Sequence, residues 1–259
     1  MLVAELSDVS YRRGTTTILD HVGLSIADGD RWVVIGPNGA GKTTLLSLLA
    51  GIAFPSSGTV TLLGQTMGRV DVFDLRPRIG LASPSVTARL PPRERVRDVV
   101  LSAAYGFVGR WRESYDETDV RRAEKLLRAW GAGDLADRTF GTLSDGERQR
   151  VCVARAIMAD PELLLLDEPG DSLDLAGRER LVDSLTRLCR DPKAPATVMV
   201  THHLEEIPPG ATHVLLLSHG AVCASGPLEQ TLTAENLSRA YEMALRVGHA
   251  DGRWSARAA

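Results

Sequence analysis

The string Gly36-Pro37-Asn38-Gly39-Ala40-Gly41-Lys42-Thr43 constrains this chain more than any other, because of what stands on either side of it. Before it, Trp32-Val33-Val34-Ile35 is a short apolar run of the strand type. After it, Lys42 to Ala50 reads as a helix stopped by Gly51. A strand, a G-x-x-x-x-G-K-[ST] turn and a helix in that order make a phosphate-binding loop. Its glycines let successive backbone N–H groups and the helix N-terminus face an anion. Gly36, Pro37, Asn38, Gly39, Ala40 and Gly41 are therefore expected to cradle phosphates, with Thr44 behind them in the same nucleotide-binding set. Lys42 is expected to bridge the β- and γ-phosphates of ATP, and Thr43 to ligate Mg²⁺. Lysine is otherwise scarce, only Lys125 and Lys193 joining Lys42.

Leu163-Leu164-Leu165-Leu166-Asp167-Glu168 supplies the complementary half. A buried strand ending in two carboxylates delivers them where sheets of parallel strands place their ligands. Asp167 is expected to hold Mg²⁺ with Thr43, and Glu168 to polarise an attacking water. Leu163 to Leu166, Thr197 to Thr201 and Val214 to Leu217 read as buried parallel strands, with Leu175 to Arg190 as a crossover helix. His202 closes the second of these strands, so it is expected on the same sheet edge as Asp167. The residues alone leave His203 equally available.

Elsewhere, Leu2 to Tyr11, Ile18 to Ile26, Arg31 to Ile35 and Thr59 to Leu63 read as strands. From about Pro84 to Ala159 the pattern is helical. Asp116 and Asp119 can open a helix whose Val120, Ala123, Leu127 and Trp130 share a face. Ala221 to Ser225 reads as an edge strand, and the tail from Asn236 as a helix followed by an irregular, mobile end. One domain over residues 1–235 is expected, with a helical subdomain at about 84–159 and a tail at 236–259.

The formal net charge of −3 argues against a nucleic-acid footprint. No apolar run approaches the ~20 residues that span a bilayer, and the N-terminus lacks signal-peptide character. Cys152, Cys189 and Cys223 are odd in number and scattered, which suits free thiols and a cytoplasmic location.

Leu143-Ser144-Asp145-Gly146-Glu147 starts a helix with an S-x-x-E capping box. Gly146 costs stability inside that first turn, which makes sense where an anion approaches the N–H groups. This string, followed by Arg148-Gln149-Arg150 and Ala154-Arg155-Ala156, resembles the signature of ABC-type ATPases. With Asp167-Glu168-Pro169, the D-loop Ser172-Leu173-Asp174 and Thr201-His202, the resemblance spans essentially the whole chain. It implies a P-loop NTPase fold of ABC type, with a mixed β core, an inserted helical subdomain and an N-terminal antiparallel β region. It implies that Ser144 and Gly146 reach ATP held by a second subunit and that Asp174 lies at the junction. It picks His202 as the switch histidine that senses the γ-phosphate, and Tyr11 as the aromatic that stacks on adenine.

The resemblance further implies a homodimer, or pairing with a similar ATPase, at the inner face of the cell membrane on an integral transport subunit. The segment from Leu232 to Trp254 is similar to tails of iron-chelate and cobalamin import ATPases, and molybdate-related ATPases resemble the altered segments, which suggests a metal or metal chelate as cargo. The pattern departs from the family in three places. No glutamine occurs between Gln65 and Gln149, where a loop glutamine usually contacts Mg²⁺, so Ser83 or Ser85 is left to act there. Asp145 and Glu147 stand where glycine and glutamine are commonest, and Gly170 replaces a hydroxyl residue after Pro169. The missing glutamine motivates an alternative, a soluble ABC ATPase acting on an iron–sulfur, ribosome or DNA assembly.

Overall fold

The computed structural model describes residues 1–105, 115–171 and 173–259, so Ser172 of the expected D-loop lies outside the described residues. Strands Leu2–Arg13 (β1) and Thr16–Ala27 (β2) lead into Arg31–Ile35 (β3) and helix Lys42–Leu49 (α1). Ser57–Leu62 (β4) and Gln65–Thr66 (β5) follow, then the short helix Val72–Leu75 (α2) and strand Ile79–Ala82 (β6). The next stretch is helical: Pro84–Thr87 (α3), Val96–Leu101 (α4), Glu117–Ala129 (α5) and Asp145–Met158 (α6). Leu163–Asp167 (β7), Leu175–Arg190 (α7), Ala196–Val200 (β8), His213–Ser218 (β9) and Ala221–Pro227 (β10) return to the α/β pattern. Helices Leu228–Thr231 (α8) and Ala234–Tyr241 (α9) precede strands Leu245–Ala250 (β11) and Arg253–Ala258 (β12).

Two sheets carry the core. One is antiparallel, in the order β2-β1-β4-β5. The other runs β10-β9-β3-β8-β7-β6, parallel except at the β10 edge. Side chains alternate across its strands, so neighbours fall into different cores. Val34, Leu165, Val198 and Leu215 join α1 and the antiparallel sheet in one cluster, while Val33, Leu164, Met199 and Leu216 join the helical side in the other. Burial on both faces accounts for continuous apolar runs such as Leu163 to Leu166. Truncating any of these leucines to alanine costs about 2–5 kcal/mol.

Register fixes which strand ends meet. Val34 pairs with Val200, Asp167 with Val200 and Ala82 with Leu166. The loop after β3, the carboxylates after β7, His202 after β8 and Ser83 after β6 therefore emerge at one end of the sheet. On α5, Ala123, Leu127 and Trp130 are buried and Val120 packs half-buried beside them, as their spacing predicts. The three cysteines are free, Cys152 fully buried and the others half-buried.

Two elements correct the sequence reading. The tail is not irregular after its helix: β11 and β12 form an antiparallel hairpin in unbroken register from Leu245↔Ala258 to Ala250↔Arg253. Asp251 and Gly252 turn it at φ 51° and 73°. Positive φ at both central residues is what a two-residue hairpin loop requires. Trp254 anchors the hairpin in the core and stacks on His249. The second addition is β6, whose four residues include Gly80; a Cβ there would stand 3.1 Å from the Ala156 carbonyl carbon.

Candidate active site

The phosphate loop is bent by its glycines. Gly41 caps α1 at φ 99° with no side-chain hydrogen bond, and a Cβ there would lie 2.7 Å from Leu19 Cδ2 and 2.9 Å from the Ile18 carbonyl oxygen. Only glycine meets both the angle and the space. Lys42 is buried, and its Nζ donates to the carbonyls of Gly36 at 2.7 Å and Pro37 at 3.0 Å, so the ammonium spans the loop. Burial lowers its pKa, with Glu168 and Asp167 acting in the opposite direction.

Beside it, Thr43 Oγ1 donates to Asp167 Oδ1 at 3.5 Å. Asp167 is 5% exposed; burial first, and then the neighbouring Glu168 carboxylate, push its pKa up to about 6. Glu168 has φ 48°, a left-handed conformation that costs a non-glycine residue about 1 kcal/mol or more. Its N–H still donates to Val200 O at 2.9 Å, so the turn is tied to β8. His202 approaches from that strand: its Nδ1 lies 3.4 Å from Glu168 Oε1 and its Nε2 4.0 Å from Asp171 Oδ1. Nδ1 is buried and without a hydrogen-bond partner among the described residues. His203 packs against the ring at 4.0 Å between centroids.

The Thr43 hydroxyl and two adjacent carboxylates form an all-oxygen donor set, which suits Mg²⁺. A cation there would relieve both the burial and the repulsion that raise the Asp167 pKa.

The Ser144 residues lie elsewhere. Ser144 N–H donates to Glu147 Oε2 at 2.8 Å and Glu147 N–H to Ser144 Oγ at 3.3 Å, closing the expected box. That backbone hydrogen bond is the main reason the Glu147 pKa is lowered. Asp145 pairs with Arg148 at 3.1 Å, which offsets its charge. Gly146 has a packing reason too, because a Cβ there would meet Leu173 Cδ2 at 2.9 Å. Ser144, Gly146, Leu173, Asp174 and Arg180 line one cleft of about 500 Å³. Asp174 caps α7, accepting from Gly177 N at 2.7 Å. Pro37 to Ala40 line a different cleft, walled by His219, just past β9, and by Tyr241 and Glu242 at the end of α9. Among the described residues, Ser144 and Gly146 line one of these clefts and the phosphate loop the other.

Tyr11 is half-buried and pairs with Leu19, the residue that packs on Gly41, one strand removed from the loop. Ser83 Oγ caps α3 and shares a 2.9 Å hydrogen bond with Ser85 Oγ. Sequence reasoning missed Gln149, which lines a cleft of about 260 Å³ with Glu168, Asp171 and Thr87. Its Nε2 is buried without a hydrogen-bond partner among the described residues. Its signal was the periodicity of α6, which turns position 149 toward β7's end.

Fold and site together define a P-loop ATPase cassette with a capped helix displaying Ser144 on a second face. The chain belongs to the ABC transporter family, whose model matches residues 19–171, and it is an ATP-binding subunit of that family. It is 40% identical over 247 residues to the uncharacterized ABC transporter ATP-binding protein YlmA of Bacillus subtilis, covering 95% of this chain and 93% of the relative. It is 34% identical over 262 residues to the hemin import ATP-binding protein HmuV of Bradyrhizobium diazoefficiens, covering 96% and 92%. A bacterial ABC transporter cassette solved as a dimer superposes with a TM-score of 0.76 at 24% identity, over 87% of this chain and 98% of that one. The family's activity is ATP hydrolysis.

Proposed function

We propose that this subunit powers transport through a separate membrane subunit, by closing on ATP as a pair and reopening after hydrolysis. The observation that carries the reading is the convergence of Lys42, Thr43, Asp167, Glu168 and His202 at one sheet end, with the Ser144 face held apart. One chain then supplies half of each site: its phosphate loop binds ATP, and the Ser144–Gly146 helix start, beside Asp174, meets the nucleotide of the other copy. Lys42 balances phosphate charge, and Tyr11 offers a face to adenine. Mg²⁺ held by Thr43 and Asp167 would neutralise charge on the phosphates. Glu168 accepts a hydrogen bond from the attacking water and aligns it, while His202 holds the γ-phosphate side of the site and is itself oriented by Glu168. Gln149 and the Ser83–Ser85 pair border the space where the family commonly places a loop glutamine.

A membrane partner is supported by an exposed apolar group. Ile52, Phe54 and Phe73 are 54%, 49% and 72% exposed, and their neighbours Gly51 and Val72 lie close, a Cβ on Gly51 standing 3.0 Å from the Val72 side chain. The helical subdomain expected at about 84–159 would transmit the motion. A metal chelate as cargo is supported by the likeness to a hemin importer.

The test is Mg-ATP hydrolysis by wild type beside Glu168→Gln, with oligomeric state followed by light scattering. The expected result is turnover in the wild type and an ATP-locked dimer without turnover in the variant. Undiminished hydrolysis in the variant would remove Glu168 from the role.

A further inference from the structure

Gly170 lies two residues beyond Glu168, in the turn that leaves β7. A Cβ at Gly170 would stand 2.6 Å from Cδ of Glu206 and 3.1 Å from its Oε2. No side chain fits at position 170 while that carboxylate keeps its place. Glu206 is 1% exposed, in the short 3₁₀ turn Leu204–Glu206 that follows His202. Its Oε2 accepts from Thr201 Oγ1 at 2.5 Å, and the same hydroxyl oxygen accepts from the His203 N–H at 3.0 Å. Its Oε1, the oxygen turned toward Gly170, is buried with no hydrogen-bond partner among the described residues. Thr201 is itself wholly buried, its N–H bonded to Val34 O at 3.1 Å.

A buried carboxylate with one oxygen unused is costly, and an apolar residue of similar size would pack there without that cost. What the carboxylate does that an apolar residue cannot is hold two places at once. One oxygen fixes the residues on both sides of His202. The other end of the group fills the hollow under the Glu168 turn.

We propose that Glu206 is a positioning residue for ATP hydrolysis, a buried strut that sets the Glu168 turn against the strand end bearing His202. Gly170 is the other half of the device, because its missing side chain is what lets the strut reach the turn. The two residues are 36 positions apart in the sequence, and both lie outside the phosphate loop. The inference rests on the roles given above to Glu168 and His202.

The test uses the whole chain and the variants Gly170→Ala, Glu206→Ala, Glu206→Asp, Glu206→Gln and the double Gly170→Ala/Glu206→Ala. For each, kcat and KM for Mg-ATP, direct ATP affinity and melting temperature are measured. Gly170→Ala and Glu206→Ala are expected to lower kcat by about tenfold or more, since misplacing reacting groups by an ångström costs up to about a hundredfold. ATP affinity is expected to stay within about threefold of wild type, because the phosphate loop is untouched. Glu206→Gln, which keeps an oxygen for Thr201, is expected to retain more kcat than Glu206→Ala. In the double variant Gly170→Ala is expected to add no further loss. Where Glu206→Ala does not fold, Glu206→Asp takes its place: it withdraws the carboxylate by one methylene and is expected to lose kcat while tolerating alanine at 170.

Single variants with kcat within about twofold of wild type would overturn the proposal, as would losses at 170 and 206 that simply multiply. A fall in melting temperature with kcat unchanged below it would also overturn it, leaving packing alone. Failure of the Glu168 assignment is separable: it appears as turnover in Glu168→Gln, whatever the strut variants do.

Discussion

Asp167→Asn provides the sharpest check on the electrostatics of the site. Asp167 is buried beside Glu168 and its pKa is pushed from the ordinary 3.8 up to about 6. The folded protein therefore keeps this proton to higher pH than the unfolded chain does. Stability falls as pH rises from about 3.8 to about 6 and stays at the lower value above that window. At 1.36 kcal/mol per pH unit, ionising Asp167 in the fold costs about 3 kcal/mol near neutral pH. Asparagine keeps an oxygen for the Thr43 hydroxyl and carries no charge. Urea unfolding across the pH range is expected to find Asp167→Asn more stable than wild type by about 1–3 kcal/mol near neutral pH, the difference closing near pH 4. Other acid effects are shared by both proteins and cancel in the comparison. Added Mg²⁺ is expected to stabilise wild type more than the variant, through the Asp167 carboxylate that only wild type carries. A variant less stable than wild type at neutral pH, or a difference that ignores pH, would refute the argument.

Gly41→Ala forces φ 99° on a residue with a Cβ and drives that atom against Leu19 and Ile18. It is expected to cost about 1–2 kcal/mol from the backbone alone and to weaken ATP binding, read by chemical denaturation and nucleotide titration. Ser144→Ala removes the side-chain acceptor of the Glu147 N–H, and a loss of about 1 kcal/mol is expected in the same denaturation assay. Its turnover is expected to drop at protein concentrations where wild type pairs, while ATP binding by the single chain stays unchanged.

Much of the site was legible because its residues sit where local rules are strict. The phosphate loop, the β7 carboxylates and the capped helices α6 and α7 each carry their own signal, and α7 runs from Leu175 to Arg190 as expected. Elements that depend on distant partners were not legible. β6 is four residues with a glycine, a strand only because β7 and α6 cover it. Glu206 reads as one more acidic loop residue until the fold sets it under Gly170. The C-terminal hairpin is a different case: Asp251-Gly252 between short segments is a readable turn signal, but the polar, exposed residues around it carry little of the apolar alternation that marks a strand. Gly146 was read for its openness to an anion alone, and Leu173 supplies a second reason that spacing does not reveal.

The backbone at Glu168 sets two selective pressures against each other. Held at φ 48°, that position is one where glycine would be the more comfortable residue, by about 1 kcal/mol. A lineage drifting toward stability alone would lose the carboxylate and gain a sturdier protein that binds ATP and no longer turns it over. On the role proposed for Glu168, keeping it there is a standing charge against stability that the need for hydrolysis sustains. In a degenerate copy of this cassette, the first position to relax would be the one proposed to align the attacking water.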